Sequence, residues 1–210
     1  MDELRVKLRD RSEVLVRPIE PGDKQALARG FARLSADSRY QRFLAPMEEL
    51  TDAQLAYLTE IDHHDHEALA AFDTETGDGV GVARYVRAPG ADAAEAAVTV
   101  VDDWHGRGLG TALSTLLADR AREEGIRRFT AILLASNRQM LELLATLGPT
   151  REVSQKEGIV EIEVELPEAG IGEHMARVLR VAAGGRVELA TPPWGLEQVN
   201  RGGPATDASS

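Results

Sequence analysis

"DDWHGRGLGTAL", residues 102–113, decides the fold. A β-branched run, "EAAVTVVD" (95–102), leads into it, and Gly106, Gly108 and Gly110 alternate with other residues. From Leu109 apolar residues recur at Leu113, Leu116 and Leu117, so a helix starts there and Gly125 can end it. A glycine loop between a strand and a helix lets backbone N–H groups approach an anion, with the helix dipole adding to the attraction. Two phosphate loops fail on spacing. A dinucleotide fingerprint needs Gly-x-Gly-x-x-Gly, and a Walker loop needs Gly-Lys-Ser/Thr; neither is present. A bare structural turn without a ligand stays open on this stretch alone.

Outward from the loop, strands and helices follow one another closely. "VLVRPI" (14–19) reads as a strand, and Asp23 as the N-cap of a helix carrying Leu27, Phe31 and Leu34. Thr51 with Gln54 forms a capping-box pattern before "AQLAYLTEI". "EALAAFD" (67–73) and "VGVARYVR" (80–87) flank a turn as in a hairpin, and "RFTAILLA" (128–135) is a buried-type strand. Ser136 or Asn137 caps a helix that runs to Gly148-Pro149, and "GIVEIEVEL" (158–166) alternates apolar and acidic residues. The charged run 1–13 is expected as a leader. Residues 167–210, rich in Gly, Pro and small polar residues, are expected as an extension with a short helix over 173–183 and then a flexible end.

Composition narrows the partners. The 210 residues suit one domain with an appendage, and the formal charge of −11 disfavours nucleic acid. The same charge favours cationic partners. Absence of cysteine removes disulfides and thiolate zinc sites, and the charged N-terminus lacks a signal-peptide core. With no apolar stretch of membrane length, the expectation is a cytoplasmic protein. "DHHDHE" (62–67) invites a metal reading, but neighbours on an extended chain face opposite ways. Structural hydrogen bonds or a polar groove edge, with no bound metal, is the reading preferred here. His66 and Asp65 are its candidates for substrate contact.

"VVDDWHGRGLGTAL" resembles motif A of the GNAT superfamily of N-acetyltransferases, whose loop reads Gln/Arg-x-x-Gly-x-Gly/Ala. The order of elements over residues 14–166 is similar too. "SRYQRF", "LTEIDHHDHEALAAF" and "GVARYVR" look most like the acetyltransferase domain of bacterial protein-lysine acetyltransferases. The resemblance implies an α/β fold, with a central, mostly antiparallel sheet flanked by helices. It implies acetyl-CoA as co-substrate and a primary amine, a protein lysine by preference, as acceptor.

By the same resemblance, Gly106, Gly108, Leu109, Gly110 and Thr111 hold the cofactor's diphosphate, with Arg107 adding charge. Val98, Thr99 and Val100 pair with the pantetheine arm, and Asn137 contacts the cofactor. His105 stands where Gln or Arg is usual. Glu95 falls where these enzymes carry a base glutamate, and Leu144 where the family often has a tyrosine acid. A small-amine acetyltransferase and a non-catalytic acyl-CoA-binding module are the alternatives, and a homodimer is open to the chain.

Overall fold

The computed structural model describes residues 3–167, so the expected helix over 173–183 and the rest of the extension lie outside the described residues. Two paired strands open the chain, β1 (Leu4–Lys7) and β2 (Glu13–Pro18). The charged run 1–13 is therefore more than a leader. Its Val6 is buried opposite Val14, while Arg5 faces outward.

A single 3-10 turn, Pro21–Asp23, leads into α1 (Lys24–Ala32). Asp23 occupies the cap position but makes no cap bond. Its carboxylate accepts two 2.7 Å hydrogen bonds from Arg17 and one of 2.8 Å from the Glu20 N–H.

Next comes α2 (Ala36–Phe43), which the sequence reading passed over. It is started by Ser35, whose hydroxyl accepts from the Ser38 N–H at 3.1 Å. It is held in place by Asp102, which accepts from the Ser35 N–H and the Ser38 hydroxyl. α3 (Asp52–Thr59) has the expected capping box: Gln54 N–H reaches Thr51 at 3.3 Å, and Thr51 N–H reaches the Gln54 side chain at 2.9 Å.

The sheet continues with β3 (His66–Asp73), β4 (Gly79–Arg87) and β5 (Ala93–Val100). A turn at Asp102–Trp104 and the glycine loop then lead into α4 (Leu109–Glu123). β6 (Arg128–Leu134), α5 (Arg138–Ala145), β7 (Thr150–Lys156) and β8 (Ile159–Glu165) complete the described chain. The eight strands lie in the order β1-β2-β3-β4-β5-β6-β8-β7, antiparallel except for β5 beside β6. β7 escaped the sequence reading because "TREVSQK" is exposed along its whole length and pairs only with β8.

Both faces of the sheet are covered near its middle, which is why β3 reads "ALAAF" without polar interruption. On one face α4 buries Leu109, Leu113 and Leu117 with Tyr85 and Phe129. Each such leucine contributes roughly 1.5–3 kcal/mol. On the other, Ile19, Ala68, Ala70 and Phe72 form a smaller cluster with Leu27.

The "DHHDHE" stretch is consumed in tying β3 and β4 to the end of α4. Glu67, 1% exposed, accepts from Arg120 Nε at 3.2 Å and lies 2.8 Å from His63 Nδ1. Asp65 accepts from Arg87 Nε at 2.6 Å, and Arg120 donates to the His63 carbonyl at 2.9 Å. His66 lies 3.1 Å from Arg84 Nη1, and burial together with that cation pushes its pKa down to about 4. Among the described residues no group of three or more such side chains is placed to hold a metal ion.

Removing one partner of a buried ion pair costs about 3 kcal/mol or more. Glu67→Gln is accordingly expected to lower the denaturant midpoint by about that much stability at unchanged slope, with turnover per folded molecule retained.

Candidate active site

The site begins where two parallel strands part. β5 and β6 are paired only at Ala93 with Arg128, Ala94 with Phe129 and Glu95 with Thr130. From residue 96 to 100, β5 keeps β4 as a partner but has none in β6. The wedge between them is a cleft of about 600 Å³, lined by Ala96–Val100 of β5, Ala131–Leu133 of β6, the glycine loop, and Met140 and Leu143 of α5. An extended chain laid in such a gap can reach strand backbone that lacks a neighbour.

At one end of the cleft stands the glycine loop. Gly106 (φ 75°) and Gly108 (φ 90°) are left-handed, a conformation that costs glycine nothing and any β-branched residue a great deal. Gly108 is the N-cap of α4, and among the described residues no side chain caps the helix. The first helical bond runs from the Ala112 N–H to the Gly108 carbonyl at 3.0 Å. The N–H groups of Leu109, Gly110 and Thr111 therefore precede it and are left to an external acceptor. Gly110 allows close approach of α5: a Cβ there would stand 3.0 Å from Leu143 Cδ1. Glycine cradle, uncapped helix start and open groove together fit a phosphate-bearing, extended ligand.

The remaining sequence-selected residues divide clearly. Val98, Thr99, Val100, His105 and Asn137 all line the cleft. His105 donates from Nε2 to the Val100 carbonyl at 2.8 Å, fastening the end of β5 to the loop. That carbonyl is thus already engaged. Asn137 caps α5, its side-chain oxygen accepting from the Met140 N–H at 3.0 Å, which leaves the amide NH₂ to meet a ligand.

Arg107 is the exception. Its guanidinium turns back to the Asp103 carbonyl (2.7 Å), to Asp10 (3.1 Å) and over the Trp104 ring (4.5 Å), and it does not line the cleft. Neither Asp65 nor His66 lines it either, since both are spent on arginines elsewhere.

Glu95 sits at the far end, exposed, as the last residue of β5 paired to β6. Among the described residues its carboxylate makes no hydrogen bond, and it shares the cleft with one other carboxylate, Glu142. Two lining arginines were not found from sequence. Arg42 of α2 feels the charge of Glu95: burial pushes its guanidinium pKa down and Glu95 pulls it up. Arg9, from the turn after β1, stands at the glycine-loop end. Neither had a local signal, because both reach the cleft through tertiary packing. Leu144, in the place of the expected phenol, is buried and closes the wall with a hydrocarbon.

Residues 13–150 match the family described as Acetyltransferase (GNAT) domain. The chain belongs to the GNAT acetyltransferase family. Acetyltransferase Pat of Mycolicibacterium smegmatis is 34% identical over 163 residues, which cover 77% of this chain and 48% of that protein. The chain thus spans about half the length of that relative. An acetyltransferase of Pseudomonas aeruginosa is 36% identical over 143 residues, covering 67% of this chain and 77% of the relative. Among solved structures, the GNAT domain of PAT from S. lividans superposes with a TM-score of 0.72 at 35% identity, covering 78% of this chain and 97% of that domain.

The resemblance read from motif A is therefore correct, as is the expected helix-flanked mixed sheet. An acetyltransferase-fold protein of Salmonella typhimurium, yncA, is solved with acetyl-CoA as its cofactor. Among the described residues no helix is long and apolar enough to cross a membrane.

Proposed function

We propose that this GNAT domain transfers an acetyl group from acetyl-CoA to the side-chain amine of a protein lysine, with Glu95 as the base. The observation that carries the reading is the place of Glu95. It stands where β5 and β6 part, at the head of the cleft, with its carboxylate uncommitted. A lysine amine, with a reference pKa of about 10.4, is protonated at neutral pH and must lose that proton to attack.

Bound acetyl-CoA would supply a thioester, an activated acyl group. The N–H groups of Leu109, Gly110 and Thr111 would hold its phosphates, and the unpaired β5 backbone at residues 98–99 would hold the arm and polarise the carbonyl. Glu95 accepts the amine's proton. Leu144 has no proton to give, so solvent protonates the departing thiolate, which a reference pKa near 8.5 permits. An exposed Glu95 and a net charge of −11 suit a cationic segment presented by another protein.

The test is CoA release with a library of lysine peptides beside a panel of small amines, followed by mass spectrometry of the products. Peptides are expected to exceed the best small amine by at least about tenfold in kcat/KM, about 1.4 kcal/mol in transition-state binding. Faster turnover of a small amine would transfer the reading to metabolite acetylation. Binding of acetyl-CoA with no acceptor turned over would leave a non-catalytic acyl-CoA module.

A further inference from the structure

The family match begins at residue 13, yet residues before it touch the glycine loop. The turn between β1 and β2 is firmly built. Leu8 N–H reaches the Ser12 carbonyl at 2.8 Å, and Arg11, at φ 74°, donates its N–H to the Leu8 carbonyl at 3.0 Å. Asp10 accepts from the Ser12 N–H at 3.1 Å and the Ser12 hydroxyl at 2.6 Å.

Two contacts fasten this turn to the loop. Arg9 N–H donates to the Arg107 carbonyl at 3.1 Å, and the Asp10 carboxylate holds Arg107 Nη1 at 3.1 Å. The second contact helps keep Arg107 away from the cleft.

The Arg9 side chain lies along Gly108. A Cβ added to that glycine would stand 3.3 Å from Arg9 Nε and 3.5 Å from its Cδ and Cγ. Arg9 is exposed, lines the cleft and forms no ion pair with another described residue. Among the described residues two Lys or Arg side chains line the cleft, Arg9 at the loop and Arg42 beside Glu95. In a chain of charge −11, a phosphate group entering the loop end meets one guanidinium.

We propose that the residue 8–12 turn is part of the cofactor site and that Arg9 binds the phosphates of CoA in place of Arg107. The proposal rests on the use of acetyl-CoA stated above. It makes Arg9 a binding residue supplied from outside the matched family region. An arginine there can pair a phosphate through two parallel N–H groups, which lysine cannot do.

Calorimetric titration of CoA and of 3′-dephospho-CoA into the full chain tests this, with wild type, Arg9→Ala, Arg9→Lys and Arg107→Ala compared. Arg9→Ala is expected to weaken CoA about tenfold to a hundredfold, the usual loss for one charge-assisted contact. Arg9→Lys should recover part of that loss, and Arg107→Ala, which loosens the turn but removes no cleft-lining charge, should lose clearly less than Arg9→Ala. A loss confined to CoA places Arg9 on the 3′-phosphate, and an equal loss with both ligands places it on the diphosphate; each outcome supports the proposal.

The slope of affinity against salt should also become shallower in Arg9→Ala, because one counterion fewer is exchanged. Unchanged affinity in Arg9→Ala, or the same loss in Arg107→Ala alone, overturns the proposal and leaves the co-substrate assignment standing. A wild type that binds neither ligand overturns both.

Discussion

Glu95→Gln is expected to lower kcat by about 10²–10⁴ and leave the KM for acetyl-CoA and the melting temperature close to wild type. The substitution is nearly isosteric and removes the negative charge together with the capacity to take a proton. Since Glu95 is exposed and makes no hydrogen bond with another described residue, the fold does not depend on its charge.

The decisive feature is the pH profile of the residual rate. Without a base, only amine that is already neutral reacts, and that fraction rises about tenfold per pH unit below a pKa near 10.4. The variant's rate should therefore climb with pH and close part of the gap. A uniform loss at every pH, or a loss seen as KM alone, would point to a positioning role for Glu95. Glu67→Gln supplies a contrast: a buried carboxylate bound to Arg120 and His63 should cost stability and not turnover.

Gly108→Val is expected to weaken acetyl-CoA binding by at least about a hundredfold while the domain stays folded. At φ 90° a β-branched side chain is strained, and its Cβ meets Arg9 Nε at 3.3 Å. The loop must then reshape, and the N–H groups of Leu109, Gly110 and Thr111 lose their common aim. Each charge-assisted hydrogen bond lost is worth about 1.5–3 kcal/mol, so one or two account for the expected effect. Gly77→Val serves as control. Gly77 has φ 73° on a loop away from the cleft, with nothing within 4 Å of its Cβ position. It should pay a similar conformational cost and bind acetyl-CoA as wild type. Equal loss of affinity in both variants would mean that general destabilisation, and not the loop, controls binding.

What could be read in the sequence was whatever local chemistry writes into a short window. The Gly106–Gly110 loop, the apolar spacing of α4, the Thr51–Gln54 box and the Asn137 cap each need only near neighbours, and each stands in the structure. α2 was hidden because "ADSRYQRF" has no buried side chain of its own and is held by Asp102, far along the chain. β7 was hidden because a fully exposed edge strand leaves no alternation of apolar residues.

Of the residues lining the cleft, Glu95 was singled out through resemblance, whereas Arg42 was not. The arginine of the motif itself misled. Arg107 belongs to the loop in sequence, but Asp10, from a different hairpin, draws it aside, and Arg9 stands in the cleft. Such an exchange between two arginines depends on tertiary contact and leaves no trace in local pattern.

Binding of the phosphates by backbone amides at the β5–α4 junction is what every other proposed step depends on. A ¹⁵N–¹H NMR titration of the labelled chain with CoA measures it directly. The amide signals of residues 106–111, and of residues 96–100 along the parted strand, should shift together at one saturating affinity. Saturable binding that moves signals elsewhere and leaves residues 106–111 unperturbed would contradict the account.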